Sequence, residues 1–460
     1  MKKSMVIFIL LAILTAVSFP LAVFRINSQK EAVVLTEDIW VGDQETARGL
    51  SFQINTQLEN RLLWETKVKF REKTETDTEF TFLKEPLRYE ENPVDTIDIY
   101  SITGFGMGSN ADVLAGDAGT DLYYQKIFED LAGQMEGGET LTKIVNPADY
   151  YKYFQISANL YNIQYLDGYS YISDAEISRK LTETFAVEIP KDMQVEVSLT
   201  KNLAGEVCEV GMNPYAHNVS FHGTGCFLPD ACYFSVYAEN DDTGSVWEMT
   251  GIKTGIYKLP IREMVSEVNP KRSFRGLDWD LLEPLYLTDG NIVAMETDEA
   301  GENIGILLEK EDGWYVQVVN IEKAESVSML RLETEGDAKR VSIFQMEKDG
   351  ILIVLEEEKE HIYYLENKEN RLEKRIDVDI AGCSLHSSKT IELWEPEYDY
   401  DNGRLAMIWQ VGYYRNVGVY VMVMDQDGIG YLAKFENSQD IGNDHTIRFH
   451  ESCPFQISWQ

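Results

Sequence analysis

The chain has 460 residues, 41 basic against 78 acidic, for a formal net charge of -37, and 44% of it is apolar. That is too apolar for a disordered acidic tail, and at roughly 100 to 200 residues per domain it implies two or three domains or one large all-β unit. The sign of the charge argues against nucleic acid as a partner, because a polyphosphate is bound by positive surface that releases counterions.

Lys2 and Lys3 precede an apolar run over residues 5–24, broken only by Thr15, Ser18 and Pro20 and followed by Arg25 and Lys30. About twenty apolar residues is the length a helix needs to cross a bilayer, and the two lysines favour a cytoplasmic N-terminus. The expectation is a single-pass anchor in the cell membrane over residues 1–30, with residues 31–460 extracytoplasmic. The competing reading is a signal peptide cleaved after Ala16-Val17-Ser18, which would leave a secreted protein. The apolar run continues six residues past that site, which favours the anchor. No cysteine lies near the run, so a bacterial lipoprotein anchor is excluded. The segment holds four of the basic residues and no acid, so the exported part stands at -41.

Beyond residue 30, short alternating or β-branched runs bounded by Gly, Asp and Asn predict closely spaced strands, including strand-rich stretches over 49–70 and 150–171. Residues 101–148 are Gly-rich and read as an insertion. It carries a helix over 121–135, where Tyr124, Ile127, Phe128, Leu131 and Met135 share one face before Gly137-Gly138. Tyr150, Tyr151, Tyr153, Phe154, Tyr161, Tyr165, Tyr169 and Tyr171 then fall within 22 residues. Such a cluster suits sugar or peptide recognition, and equally strand faces and domain seams. A second helix opens at Ser173-Asp174-Ala175-Glu176 in a capping-box pattern and continues through Ile177, Leu181 and Phe185. A short third helix is expected around Met264, Val265 and Val268.

Five cysteines, Cys208, Cys226, Cys232, Cys383 and Cys453, are too few and too odd in number for a disulfide framework, so a core must hold the fold. One bridge among Cys208, Cys226 and Cys232 is expected in an oxidising compartment. The same stretch holds His217 and His222, residue types that bind zinc and copper, but the spacing His-x4-His-x3-Cys-x5-Cys matches no finger or helical site. Gly223, Gly225 and Pro229 make it read as a loop.

From about residue 285 a weak repeat emerges. Asp289-Gly290, Asp349-Gly350 and Asn402-Gly403 each feed a strongly apolar strand, at 291–295, 351–355 and 404–409. Each is followed by a second strand (304–308, 361–365, 417–424) and a third (314–319, 376–380, 429–435), with Asp312-Gly313, Glu369-Asn370 or Asp427-Gly428 turning between them. Antiparallel meanders every 50 to 60 residues suit β-propeller blades; a β-sandwich with similar turns is the competing fold. One further unit spans 232–259, where Asn240-Asp-Asp-Thr-Gly-Ser-Val-Trp247 resembles the Asp-box of sialidase-type propellers, with Asn240 in place of the hydroxyl residue. The resemblance implies a blade hairpin and no activity. The predicted fold is mainly β: an N-terminal transmembrane helix, a β-rich region over 31–231 with a few short helices, and propeller-like repeats over 232–460.

No catalytic signature accompanies this frame. Gly104-Phe-Gly-Met-Gly108 is neither Walker A nor G-x-G-x-x-G, and Gly-x-Ser-x-Gly is missing. Carboxylates are so abundant that pairs occur everywhere; Asp241-Asp242, Glu395-Pro-Glu397 and Asp399-x-Asp401 are the most clustered, and the last lacks the glycine and glutamate of an EF-hand. Asn218-Val-Ser220 is a glycosylation sequon by pattern alone, and His445 and His450 stand without partners of a recognisable motif. No residue is assigned a catalytic, cofactor or metal role and no cofactor is expected. The function expected is a non-catalytic binding or accessory protein of the cell envelope, with a protein or neutral-sugar ligand and with a cationic one favoured by charge. The alternative is a propeller glycosidase or lyase acting on envelope polysaccharide.

Overall fold

The computed structural model describes residues 7–8, 11, 13–21, 24, 35–58, 62–82, 96–101, 105–108, 125–161, 165–166, 169–170, 174–216, 219–240, 245–246, 254–265, 273–334, 340–347, 349–356, 360–368, 371–379, 396–411, 418–437 and 456–460. The protein is mainly β, and five antiparallel sheets pack face to face in succession, which is the propeller-like arrangement the repeat predicts. Blade II holds Val219–Phe227, Ala231–Asn240 and Gly255–Val265, flanked by Ser273–Leu277 and Glu283–Leu287. Blade III runs Asn291–Thr297, Asn303–Lys310, Gly313–Asn320 and Glu325–Arg331; blade IV runs Arg340–Met346, Gly350–Glu356, Glu360–Lys368 and Arg371–Asp379. Blade V comprises Glu397–Asp401, Arg404–Val411, Gly418–Asp425 and Gly428–Asn437, and blade I Leu50–Leu58, Leu62–Lys69 and Glu75–Phe82. Strands on both sides of residue 231 therefore share one sheet.

Side-chain parity explains why the second strands are unbroken apolar runs: each is buried on both faces. In blade III, Ile304, Ile306 and Leu308 face blade II, where they meet Tyr233 and Ile256, while Leu307 faces blade IV. In blade IV, Ile351, Ile353 and Leu355 turn to blade III, and Leu352 and Val354 turn to blade V. In blade V, Leu405, Met407 and Trp409 face blade IV, and Ala406 and Ile408 face Leu50, Phe52 and Phe70 of blade I. Fully burying one such side chain contributes about 1.5–3 kcal/mol, so these seams are where the fold is held.

The chain ends are tied across the last and first blades. Leu35–Gly42 adds a fifth strand to blade V by pairing with Gly428–Asn437, and Gln456–Trp459 supplies the first strand of blade I by pairing with Leu50–Leu58. These strands bring together residues some 400 positions apart, Leu35 opposite Asn437 and Leu50 opposite Trp459.

The repeat is phased differently from its turn chemistry. Asp349-Gly350 and Asn402-Gly403 precede the second strands of blades IV and V, whereas Asp289-Gly290 precedes the first strand of blade III. The true counterpart of Gly350–Glu356 in blade III is Asn303–Lys310, one hairpin later. A meander uses the same turn residues at every hairpin, and those residues do not number the strand that follows.

Both helices of the N-terminal half are present: α1 is Gln125–Gly133 and α2 is Asp174–Phe185. They share a core with a sheet of Phe105–Gly108, Val207–Ala216, Gln194–Lys201 and Thr140–Val145, inserted between blades I and II. The strand pair Thr96–Ser101 and Ile156–Tyr161 lies against blade II, with Ile97 and Ile99 filling the space left by Gly225 and Gly223. The third helix is corrected: Met264 and Val265 end strand Gly255–Val265 and pair with Phe274 and Ser273, while Val268 lies outside the described residues. Residues 13–21 are helical, with Leu14 and Phe19 about 70% exposed, and among the described residues no helix is long and apolar enough to cross a membrane.

Candidate functional site

Carboxylates stand on or just after the first strands of blades III to V. Glu296 stands near the end of Asn291–Thr297, Glu347 just after Arg340–Met346, and Glu397 and Asp399 alternate along Glu397–Asp401. Two are fixed by main-chain amides: Met346 N–H donates to Glu296 Oε2 (2.7 Å), and Trp459 N–H donates to Asp399 Oδ2 (2.8 Å). Glu347 and Glu397 are half-buried and have no basic partner among the described residues.

Burial is the main cause that pushes the Glu347 carboxyl up to about 7, and Glu397, Glu299, Asp399 and Glu296 add to it by charge repulsion. Burial raises Glu397 as well. Tyr398, next to Glu397 in the strand and on its opposite face, is 7% exposed, and its hydroxyl is raised by burial and then by Glu347. The Glu347 main-chain amide lies beside that hydroxyl and donates to the Gly350 carbonyl (2.9 Å).

Three other acids of blades III and IV are neutralised. Asp289 pairs with Lys310 at 2.5 Å, Glu366 with Arg375 at 2.7 Å, and Asp377 with both Lys374 and His361. The hydrogen bond from Lys310 holds Asp289 below the ordinary carboxylate range, and that from His361 does the same for Asp377. Glu347 and Glu397 differ from these three in having no cation among the described residues. Such a set can accept a positive group, or hold a proton on Glu347 near neutral pH.

Two of the four acids lay in runs that the sequence singles out, Glu397 and Asp399; Glu296 and Glu347 were hidden among many others. A signal existed: Met295-Glu296-Thr297-Asp298 and Met346-Glu347-Lys348-Asp349 repeat one pattern at the ends of successive first strands. Asp399 and Asp401 belong to a strand and not to a calcium loop, while Asp241, Asp242 and Glu395 lie outside the described residues.

The cysteine and histidine stretch is corrected from a loop to a hairpin, Val219–Phe227 with Ala231–Asn240. Cys226 stands opposite Tyr233 and Phe227 opposite Cys232, so the two cysteines point to opposite faces and the expected bridge does not form. Cys208 Sγ instead lies 3.4 Å from the Thr200 carbonyl, and burial pushes the Cys226 thiol up to about 12. His222 stacks on Tyr237, His217 lies outside the described residues, and no three His, Cys, Asp or Glu side chains cluster as a metal site among the described residues.

Of the Asp-box-like octapeptide, Ser245–Val246 turns back onto Glu239 and Asn240, and residues 241–244 and 247 lie outside the described residues. Two of the described tyrosines dock α1: Tyr150 Oη donates to Asp130 (2.8 Å) and the Tyr151 hydroxyl accepts the Lys126 amide (2.9 Å), whereas Tyr153 bridges to Glu188 and Phe154 is fully buried. That amide is one of the orphan donors of a helix N-terminus. The side chains of Tyr161, Tyr165, Tyr169 and Tyr171, and Trp394, Gly104, Asn218, His445 and His450, lie outside the described residues. Trp314 and Trp409 are buried in the seams between blades.

No family model matches the chain, and no curated protein sequence matches it. Among solved structures, TolB from Acinetobacter baumannii is 11% identical, with 86% of this chain and 81% of that one covered at a TM-score of 0.25. Hsv2 from Kluyveromyces marxianus is 10% identical over 63% of this chain and 91% of its own, at a TM-score of 0.22. The Cps50 (Swd1) β-propeller domain of Myceliophthora thermophila is 7% identical over 54% and 84%, at 0.21. At those scores the likeness adds nothing to what the chain's own ladders and seams establish.

Proposed function

We propose that this chain is a propeller-like binding or accessory protein of the cell envelope, held in the membrane by residues 5–24, with residues 31–460 outside and no catalytic role. The observation that carries the reading is the half-buried carboxylates of Glu347 and Glu397, in blades IV and V, which make no ion pair with a described residue. Half-buried like charges repel, so the site is relieved when a positive or hydrogen-bond-donating partner docks. The exposed apolar side chains of residues 13–21 and the lysines before them support the anchor. The excess of acid in the exported part supports a positively charged partner whose binding weakens with salt.

Fractionation of cells tests the location: the intact chain is expected in membranes, resistant to salt washing and released by detergent, with its bulk open to protease only from outside. Recovery of a mature chain beginning at Phe19 in the medium would establish the secreted alternative. A second reading, a glycosidase or lyase acting on envelope polysaccharide, is favoured by Glu347, whose carboxyl held up to about 7 beside other acids suits a general acid. Incubating the detergent-solubilised chain with labelled wall glycans separates the two: turnover lost in Glu347→Gln replaces the binding reading.

A further inference from the structure

We draw no further inference here: the strongest candidate, the outer edge of strand Thr140–Val145 in the inserted sheet, where Thr140, Thr142 and Ile144 are exposed, carries nothing because no contact among the described residues shows what covers it.

Discussion

Trp459 donates twice to Asp399, from its main-chain N–H to the carboxylate at 2.8 Å and from its indole Nε1 to the main-chain carbonyl at 3.2 Å. The Arg404 guanidinium lies 3.8 Å from the centre of the same indole, and Arg404 also donates to the carbonyls of Thr46 and Arg48 (3.1 Å each). The strand that starts blade I is thereby held by the strand that starts blade V, at Asp399. Closure of the chain ends and shape of the site are one structure.

Replacing Trp459 by Phe removes the indole donor and weakens the cation–π contact while keeping an aromatic ring. Loss of about 1–2 kcal/mol is expected, because the Asp399 carbonyl loses a donor and Arg404 its best ring. Trp459→Ala loses more, with the buried area. Thermal or urea unfolding of the two variants reads the difference; equal stability of Trp459→Ala and the parent would show that Gln456–Trp459 does not hold the first blade.

The crossing of the two ends has a steric requirement. Gly42 ends the strand Leu35–Gly42 at φ 67, and a Cβ there would lie 1.7 Å from the Gly430 carbonyl oxygen. Gly42→Ala combines a left-handed backbone with a main-chain clash, so the strand has to shift out of register. Destabilisation of about 2 kcal/mol or more is expected. Gly428→Ala, at φ 123 with open space around the added carbon, has backbone strain alone and is expected to cost less.

Phe70 tests the seam between blades V and I. It is 1% exposed and packs edge-on against Tyr431 with ring centres 5.4 Å apart, beside Phe52 and Phe435. Phe70→Ala leaves a cavity among rings that cannot collapse independently, and a loss of about 3–5 kcal/mol is expected in chemical denaturation. Phe70→Leu, which refills most of the space, is expected to recover more than half of it.

These contacts also mark what can be read from the chain alone. The second strands announce themselves because burial on two faces leaves no polar position: Ile351 to Leu355 has none, and each of those side chains meets a neighbouring blade. The turns announce hairpins, as at Asn402-Gly403, where both residues take positive φ. Their order within a blade stays hidden, which is why Asp289-Gly290 aligns in sequence with Asp349-Gly350 although they precede different strands. Pairing of Leu35 with Asn437 is written nowhere locally, since an edge strand needs only alternation and finds its partner by closing the chain. Glu296 and Glu347 carry a shared pattern, but with 78 acids in the chain it becomes visible only once the first strands are aligned. Cys226 and Cys232, close in sequence, are separated by parity, the same rule that builds the seams.

The carboxyl of Glu347 makes stability depend on pH in a direction opposite to that of a paired acid. An unfolded glutamate titrates near 4.5, whereas burial and the surrounding carboxylates carry this one up to about 7 in the folded chain. Between those values the folded state holds a proton that the unfolded state has released, so unfolding free energy falls as pH rises. The penalty is absent below 4.5 and complete above 7. Asp377, held low by His361 and Lys374, acts in the other sense, contributing stability above its ordinary 3.8 that is lost as pH falls through its folded value. The two windows do not overlap, and melting temperature followed from pH 4.5 to 8 isolates the glutamate. Glu347→Gln is expected to flatten the decline over that range and to raise the melting temperature at pH 8. A decline of unchanged slope in that variant would place the titration on another carboxyl, with Glu397, itself raised by burial, the next to replace.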